Sequence, residues 1–94
     1  MQRYKILWVD DEIELLKPYI LYLEEKKYIV ESFNNPFSLV EYIESNNDYN
    51  LILIDENMPG KSGINLISDI KKNSSSVPII MITKNEEEDL MNEA

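Results

Sequence analysis

The sequence predicts an α/β fold, a doubly wound parallel sheet, and three observations carry that prediction. Apolar runs of strand length fall at residues 4–9, 51–54 and 77–82, and such runs suit strands buried on both faces. Stretches with apolar residues three and four apart lie between them, as on one side of a helix. The runs ending at Val9 and at Ile54 both stop against acids, Asp10-Asp11-Glu12 and Asp55-Glu56. Right-handed crossovers between parallel strands then place helices on both faces of the sheet.

The elements follow in order. Residues 4–9 form the first strand. From Glu12 to about Lys27, Ile13, Leu16, Ile20 and Leu23 mark one side of a helix, and Pro18 inside it is expected to kink it or shorten its first part. Residues 28–33 alternate as a second strand. Asn34-Asn35-Pro36 is a turn with proline in the first helical position, and Phe37, Val40 and Ile43 give the second helix its stripe. Asn46-Asn47-Asp48 breaks that helix before the third strand. Residues 58–63 read as a loop, Ile64, Ile67 and Ile70 mark a third helix, and Ser74-Ser75-Ser76 closes it. The fourth strand ends in Thr83. Residues 86–94 read as the start of a fourth helix, with acids in its first turn.

The 94 residues, 44% of them hydrophobic, allow one domain, 1–94, with a thin core. Lys and Arg number 9 against 18 for Asp and Glu, a formal net charge of -9. Such a chain is not expected to bind nucleic acid directly or to seek anionic membranes. The sequence holds no run of the roughly 20 apolar residues a membrane span needs, and its start leads into a strand without a signal-peptide pattern. A cytoplasmic location is the expectation. Cysteine and histidine are both absent. That removes zinc sites of the Cys/His type and any imidazole base, leaving oxygen ligands and hard cations.

If the first and third strands are neighbours, about 4.8 Å apart, Asp10, Asp11 and Asp55 emerge together at one end of the sheet. In open sheets of this type ligands sit at the carboxyl ends of the strands. Three like charges in one small space call for a cation, and Mg²⁺ binds through one or two carboxylates while keeping several waters. Asp55 is placed to attack phosphorus and form an acyl phosphate. Thr83, at the end of the fourth strand, is placed to donate its hydroxyl to a phosphoryl oxygen.

Val9-Asp10-Asp11-Glu12, Asp55-Glu56-Asn57-Met58-Pro59-Gly60 and Ile82-Thr83 together resemble the receiver domain of two-component response regulators, across the whole chain. The resemblance implies a flavodoxin-like, CheY-like sheet and a signalling module rather than an enzyme. It implies Asp55 as phosphoacceptor, Asp11 as direct Mg²⁺ ligand, Asp10 as holder of metal-bound water, Asn57 as donor of a backbone carbonyl to the metal, and Thr83 as switch hydroxyl. A sensor histidine kinase is the implied partner, with a C-terminal effector domain in a longer protein. More narrowly, residues 6–12, 55–60 and 83–88 are similar to the PorX-type regulators of the type IX secretion system. Departures accompany the likeness. The family's fifth strand with its lysine and its last helix would follow Ala94, so the domain reads as incomplete at its C-terminus. The fourth strand is then expected to present an apolar edge, open to a homodimer or domain swap.

Blander readings stand beside these. Asp10 and Asp11 alone would pass for a solvated turn capping a helix, and only Asp55 and Thr83 at matching strand ends favour the site. Glu12 reads as favourable charge in a first helical turn. Trp8 reads as core packing near the site, and the tyrosines at 19, 22, 28 and 42 as packing at the surface boundary. A pseudo-receiver that binds partners without phosphoryl transfer remains the alternative function. A phosphohydrolase is disfavoured, because such enzymes generally want Asp-x-Asp on one strand.

Overall fold

The computed structural model describes residues 3–56, 63–73 and 76–82. Four parallel strands, β1 (Lys5–Val9), β2 (Ile29–Phe33), β3 (Leu51–Asp55) and β4 (Ile79–Ile82), pair in the order β2-β1-β3-β4. The helices are α1 (Lys17–Glu25), α2 (Pro36–Ser45) and α3 (Gly63–Asn73), with a 3₁₀ helix at Ile13–Leu16 ahead of α1. This is the doubly wound sheet expected. The chain steps outward from β1 to β2, then back across β1 to β3 and on to β4. With right-handed crossovers that reversal puts α1 on one face and α2 and α3 on the other.

The sealed face is built by alternation. Leu7 and Val9 of β1 and Ile52 and Ile54 of β3 join Leu39 and Ile43 of α2, Leu66 and Ile70 of α3, and Tyr49 in one buried cluster. Ile6, Trp8 and Ile13 are also buried but lie outside that cluster, as the period of two along a strand requires of Ile6 and Trp8.

Three local expectations need correction. A single helix over 12–27 is not formed, and of the two outcomes expected of Pro18, a kink or a shortened first part, the structure shows the second. The 3₁₀ helix runs to Leu16, and Pro18 falls in the first turn of α1, where its missing N–H costs no helical hydrogen bond. The stripe assigned to α2 is also rotated. Pro36, Leu39 and Ile43 are buried, Val40 is partly buried against the core, and Phe37 is 62% exposed. Finally, β4 begins at Ile79 and not at Val77. Pro78 has no N–H to give to a ladder, although its carbonyl accepts from Ile52 N at 3.1 Å.

Two helix ends show how the turns are made. Asn35 caps α2, its side-chain oxygen accepting from Ser38 N at 2.9 Å with Pro36 behind it. α1 closes with Tyr28 N donating to Leu23 O at 3.1 Å and Lys27 N to Glu24 O at 3.0 Å, the paired bonds of a Schellman motif. Lys27 sits there at φ 75°, a conformation that favours glycine.

Candidate functional site

The register places the acids. Val9 pairs with Ile54 across the central β1·β3 ladder, so Asp10, one residue on, lies level with Asp55. Asp10 N donates to Phe33 O at 3.0 Å, extending the β1·β2 ladder one step past β1. Glu56 N donates to Ile82 O at 3.0 Å and does the same for β3·β4. Both acid-bearing positions are therefore held by the neighbouring strand.

The loop after β1 is fixed by its own hydrogen bonds. Asp10 Oδ1 accepts from Glu12 N at 2.8 Å, and the Asp10 carbonyl accepts from Ile13 N at 3.1 Å. The first is an Asx turn, which aims the carboxylate across the strand end and starts the 3₁₀ helix. Glu12 is exposed at the N-cap of that helix, with no capping bond from its side chain.

Asp10, Asp11 and Asp55 each bring one carboxylate oxygen to within 4.8 Å of the others. Asp10 is 1% exposed and Asp55 4%, whereas Asp11 is exposed. Opposite corners of a Mg²⁺ octahedron lie about 4.2 Å apart, twice the roughly 2.1 Å Mg–O distance, so the three oxygens span a space of the right size. All are hard oxygen donors. The set fits a hard divalent cation whose outer side, next to Asp11, faces solvent.

Of the residues predicted for the site, the structure brings together Asp10, Asp11 and Asp55. Asn57 and Thr83 lie outside the described residues. The strand ordering that joins the acids could be anticipated from the pattern of elements; the role of the Phe33 carbonyl in holding Asp10 could not, because a backbone partner leaves no mark on residue type.

Residues 6–94 match the response regulator receiver domain family. The chain belongs to that family. It is 39% identical over 85 residues to the transcriptional regulatory protein ResD of Bacillus subtilis, covering 89% of this chain and 34% of ResD. It is 38% identical over 79 residues to the CpxR homolog of Haemophilus influenzae, with 84% and 34% covered. The chain thus spans about a third of these curated relatives. Among solved structures, the response regulator TrrA of Thermotoga maritima, in complex with Mg²⁺ and BeF, superposes with a TM-score of 0.76 at 31% identity, over 85% of this chain and 69% of that one. A CheY-like receiver domain from Methanospirillum hungatei gives 0.80 at 29% identity, over 87% and 65%. This chain is therefore a receiver domain of the two-component type, a signalling module. No helix among the described residues is long and apolar enough to cross a membrane.

Proposed function

We propose that this receiver accepts a phosphoryl group on Asp55 from the phosphohistidine of a sensor histidine kinase, with Mg²⁺ held by Asp10, Asp11 and Asp55. The observation that carries the reading is the buried Asp55 carboxylate at the end of a central strand, sharing a 4.8 Å space with two further carboxylates. An Asp55 oxygen attacks phosphorus, the phosphorus–nitrogen bond to the donor imidazole breaks, and an acyl phosphate forms while the imidazole keeps the electron pair. A bound cation supplies neutralisation of the charge on the transferring oxygens. Asp10, fixed by the Glu12 N–H, offers one carboxylate oxygen to the shared space. Exposed Asp11 stands on the side from which the donor arrives.

Asn57 would add a backbone carbonyl to the metal, and Thr83 would donate its hydroxyl to the phosphoryl group and draw its loop inward, the movement by which fixed charge shifts a two-state module. A C-terminal effector in a longer protein is the recipient of that signal. The narrower kinship with PorX-type regulators rests on residues 6–12, 55–60 and 83–88. A cytoplasmic setting suits a chain whose donor is a kinase.

The test is a small-molecule phosphoramidate with and without Mg²⁺, reading covalent phosphate by mass spectrometry. We expect Mg²⁺-dependent labelling at Asp55 that Asp55→Asn abolishes and Asp11→Ala reduces at least tenfold. Labelling of Asp55→Asn at the same position would end the assignment. Saturable Mg²⁺ binding without any labelling would favour an interaction module that does not take phosphate.

A further inference from the structure

A cavity of about 540 Å³ opens at the amino ends of the strands, opposite the acids, walled by Arg3, Lys5, Ile29 and residues 47–50. It lies at the β2 edge, across the sheet from β4. Lys5 pairs with Ile29 two positions before Leu7, so by alternation the cavity is on the face that α2 and α3 cover. Its size falls in the range of small-molecule sites. Its walls are fixed from within. Lys5 N donates to Asn50 Oδ1 and Asn50 N to Lys5 O, both at 2.8 Å. Lys5 Nζ donates to Tyr42 OH and to Asp48 Oδ2, and Tyr42 OH donates to Asp48 Oδ1. Residues 47–50 are therefore held against β1 before any ligand arrives, which spares a ligand the entropy of ordering them.

The polar groups left over define the ligand. Among the described residues, no hydrogen bond or ion pair engages the Arg3 guanidinium or the Asn47 side-chain amide. Asn50 already uses its Oδ1 on Lys5 N, which leaves its Nδ2 to donate. The planar fork of a guanidinium matches two oxygens of a carboxylate or a phosphate. Arg3 and Lys5 against Asp48 give the lining one surplus positive charge in a chain of net charge -9. Asp48, in the same lining, opposes a group with several negative charges, such as a polyphosphate. Beside the donors, Ile29 is 39% exposed and the buried Tyr49 lies in the wall. A bare anion would leave that apolar surface wet, and a neutral ring would leave Arg3 unused.

We propose that this cavity binds a small molecule that joins one carboxylate or phosphomonoester group, held by Arg3 with Asn47 and Asn50, to a ring or short apolar chain against Ile29. The site is separate from the acids, and the inference is independent of whether Asp55 takes phosphate.

The test titrates phenyl phosphate and benzoate into the ¹⁵N-labelled chain, each beside its ring-free counterpart, inorganic phosphate and acetate. Metal-free buffer keeps the acid end without a cation that could bring an anion to it. The expected result is saturable shifts of the Asn47 and Asn50 side-chain amide resonances with at least one ring-bearing probe, and the tighter of the two identifies the anionic group. That probe should bind at least tenfold more tightly than its ring-free counterpart. Arg3→Gln should weaken it at least tenfold with an unchanged circular dichroism spectrum, and Arg3→Lys, which keeps the charge without the fork, should weaken it less. Asn47→Ala, at a position already exposed, should also weaken it and serves if Arg3→Gln perturbs folding. The absence of saturable shifts with both ring-bearing probes overturns the proposal. So does undiminished binding by a folded Arg3→Gln or Asn47→Ala chain, or a ring-free anion that binds as tightly as its ring-bearing partner.

Discussion

Leu7 and Trp8 are consecutive residues of the same central strand, yet they sit in two different proteins' worth of surroundings. Leu7 points into a face closed by α2 and α3, where every member of the main cluster is buried. Trp8 points into the other face, where α1 is the only helix among the described residues, none of α1's own residues is fully buried, and Ile80 of β4 is half-exposed. The difference teaches that burial along one strand follows the helices that lie over each face, and not how apolar the strand is.

That contrast can be broken by matched truncations. Leu7→Ala on the sealed face should cost ~2–5 kcal/mol, since the lost contacts are compounded by a cavity that the two helices cannot fill. Ile80→Ser on the open face should cost less than ~1 kcal/mol, because half of the side chain is already wet. Urea unfolding of the two variants reads both, and equal losses would mean the faces are energetically alike.

The end of α1 offers a smaller effect on the open side. Lys27 holds a left-handed conformation at φ 75°, so Lys27→Gly should stabilise the domain by ~0.5–1 kcal/mol through relief of that strain. A destabilised Lys27→Gly would show that the side chain contributes more than its backbone costs.

The smallest effect belongs to the sealed side, at the strand ends opposite the acids. Lys5 Nζ donates to Tyr42 OH at 2.5 Å and to Asp48 Oδ2 at 3.0 Å. The Tyr42 hydroxyl, then Asp48, holds the ammonium above its ordinary 10.5, and the bond from Lys5 holds the Asp48 carboxyl below its ordinary 3.8. A raised Lys5 contributes stability that is complete below 10.5 and lost as pH climbs through its folded value. A lowered Asp48 contributes above 3.8 and loses its share as pH falls through its folded value. The Tm difference between the native chain and Asp48→Asn should be flat between those limits and should close beyond them. A difference that persists at both extremes would assign the effect to packing rather than charge.

Much of this was legible in the residues. The runs at β1 and β3 announce themselves by four consecutive apolar side chains, and Asn35-Pro36 starts α2 where such a pair should. Acids at matching strand ends foretold Asp10, Asp11 and Asp55 meeting. What escaped was how the helices sit on the sheet and where they begin. Phe37 and Leu39 are equally apolar, and only the docking of α2 on the sheet decides that Leu39 is the one buried. The stripe Ile13, Leu16, Ile20 and Leu23 correctly marks the inward side of the first helical segment. Only Ile13 in it is fully buried, because periodicity gives the direction of a side chain and says nothing of what waits there. Pro18 left a kink and a shortened first part both open, because a proline inside a periodic pattern looks the same whether it interrupts a helix or begins one.

The pairing of Ile6 with Leu51 carries a consequence for the chain as it is made. β1 borrows its second neighbour from 45 residues downstream. At ~5–20 residues per second of synthesis, one edge of this central strand waits roughly 2–9 s for its mate. β2 can pair with the opposite edge much sooner, so the nascent domain passes through a two-stranded stage with an adhesive border. Helpers that shield emerging chains would have their most useful moment in that interval, before Asp55 has been added to the sequence at all.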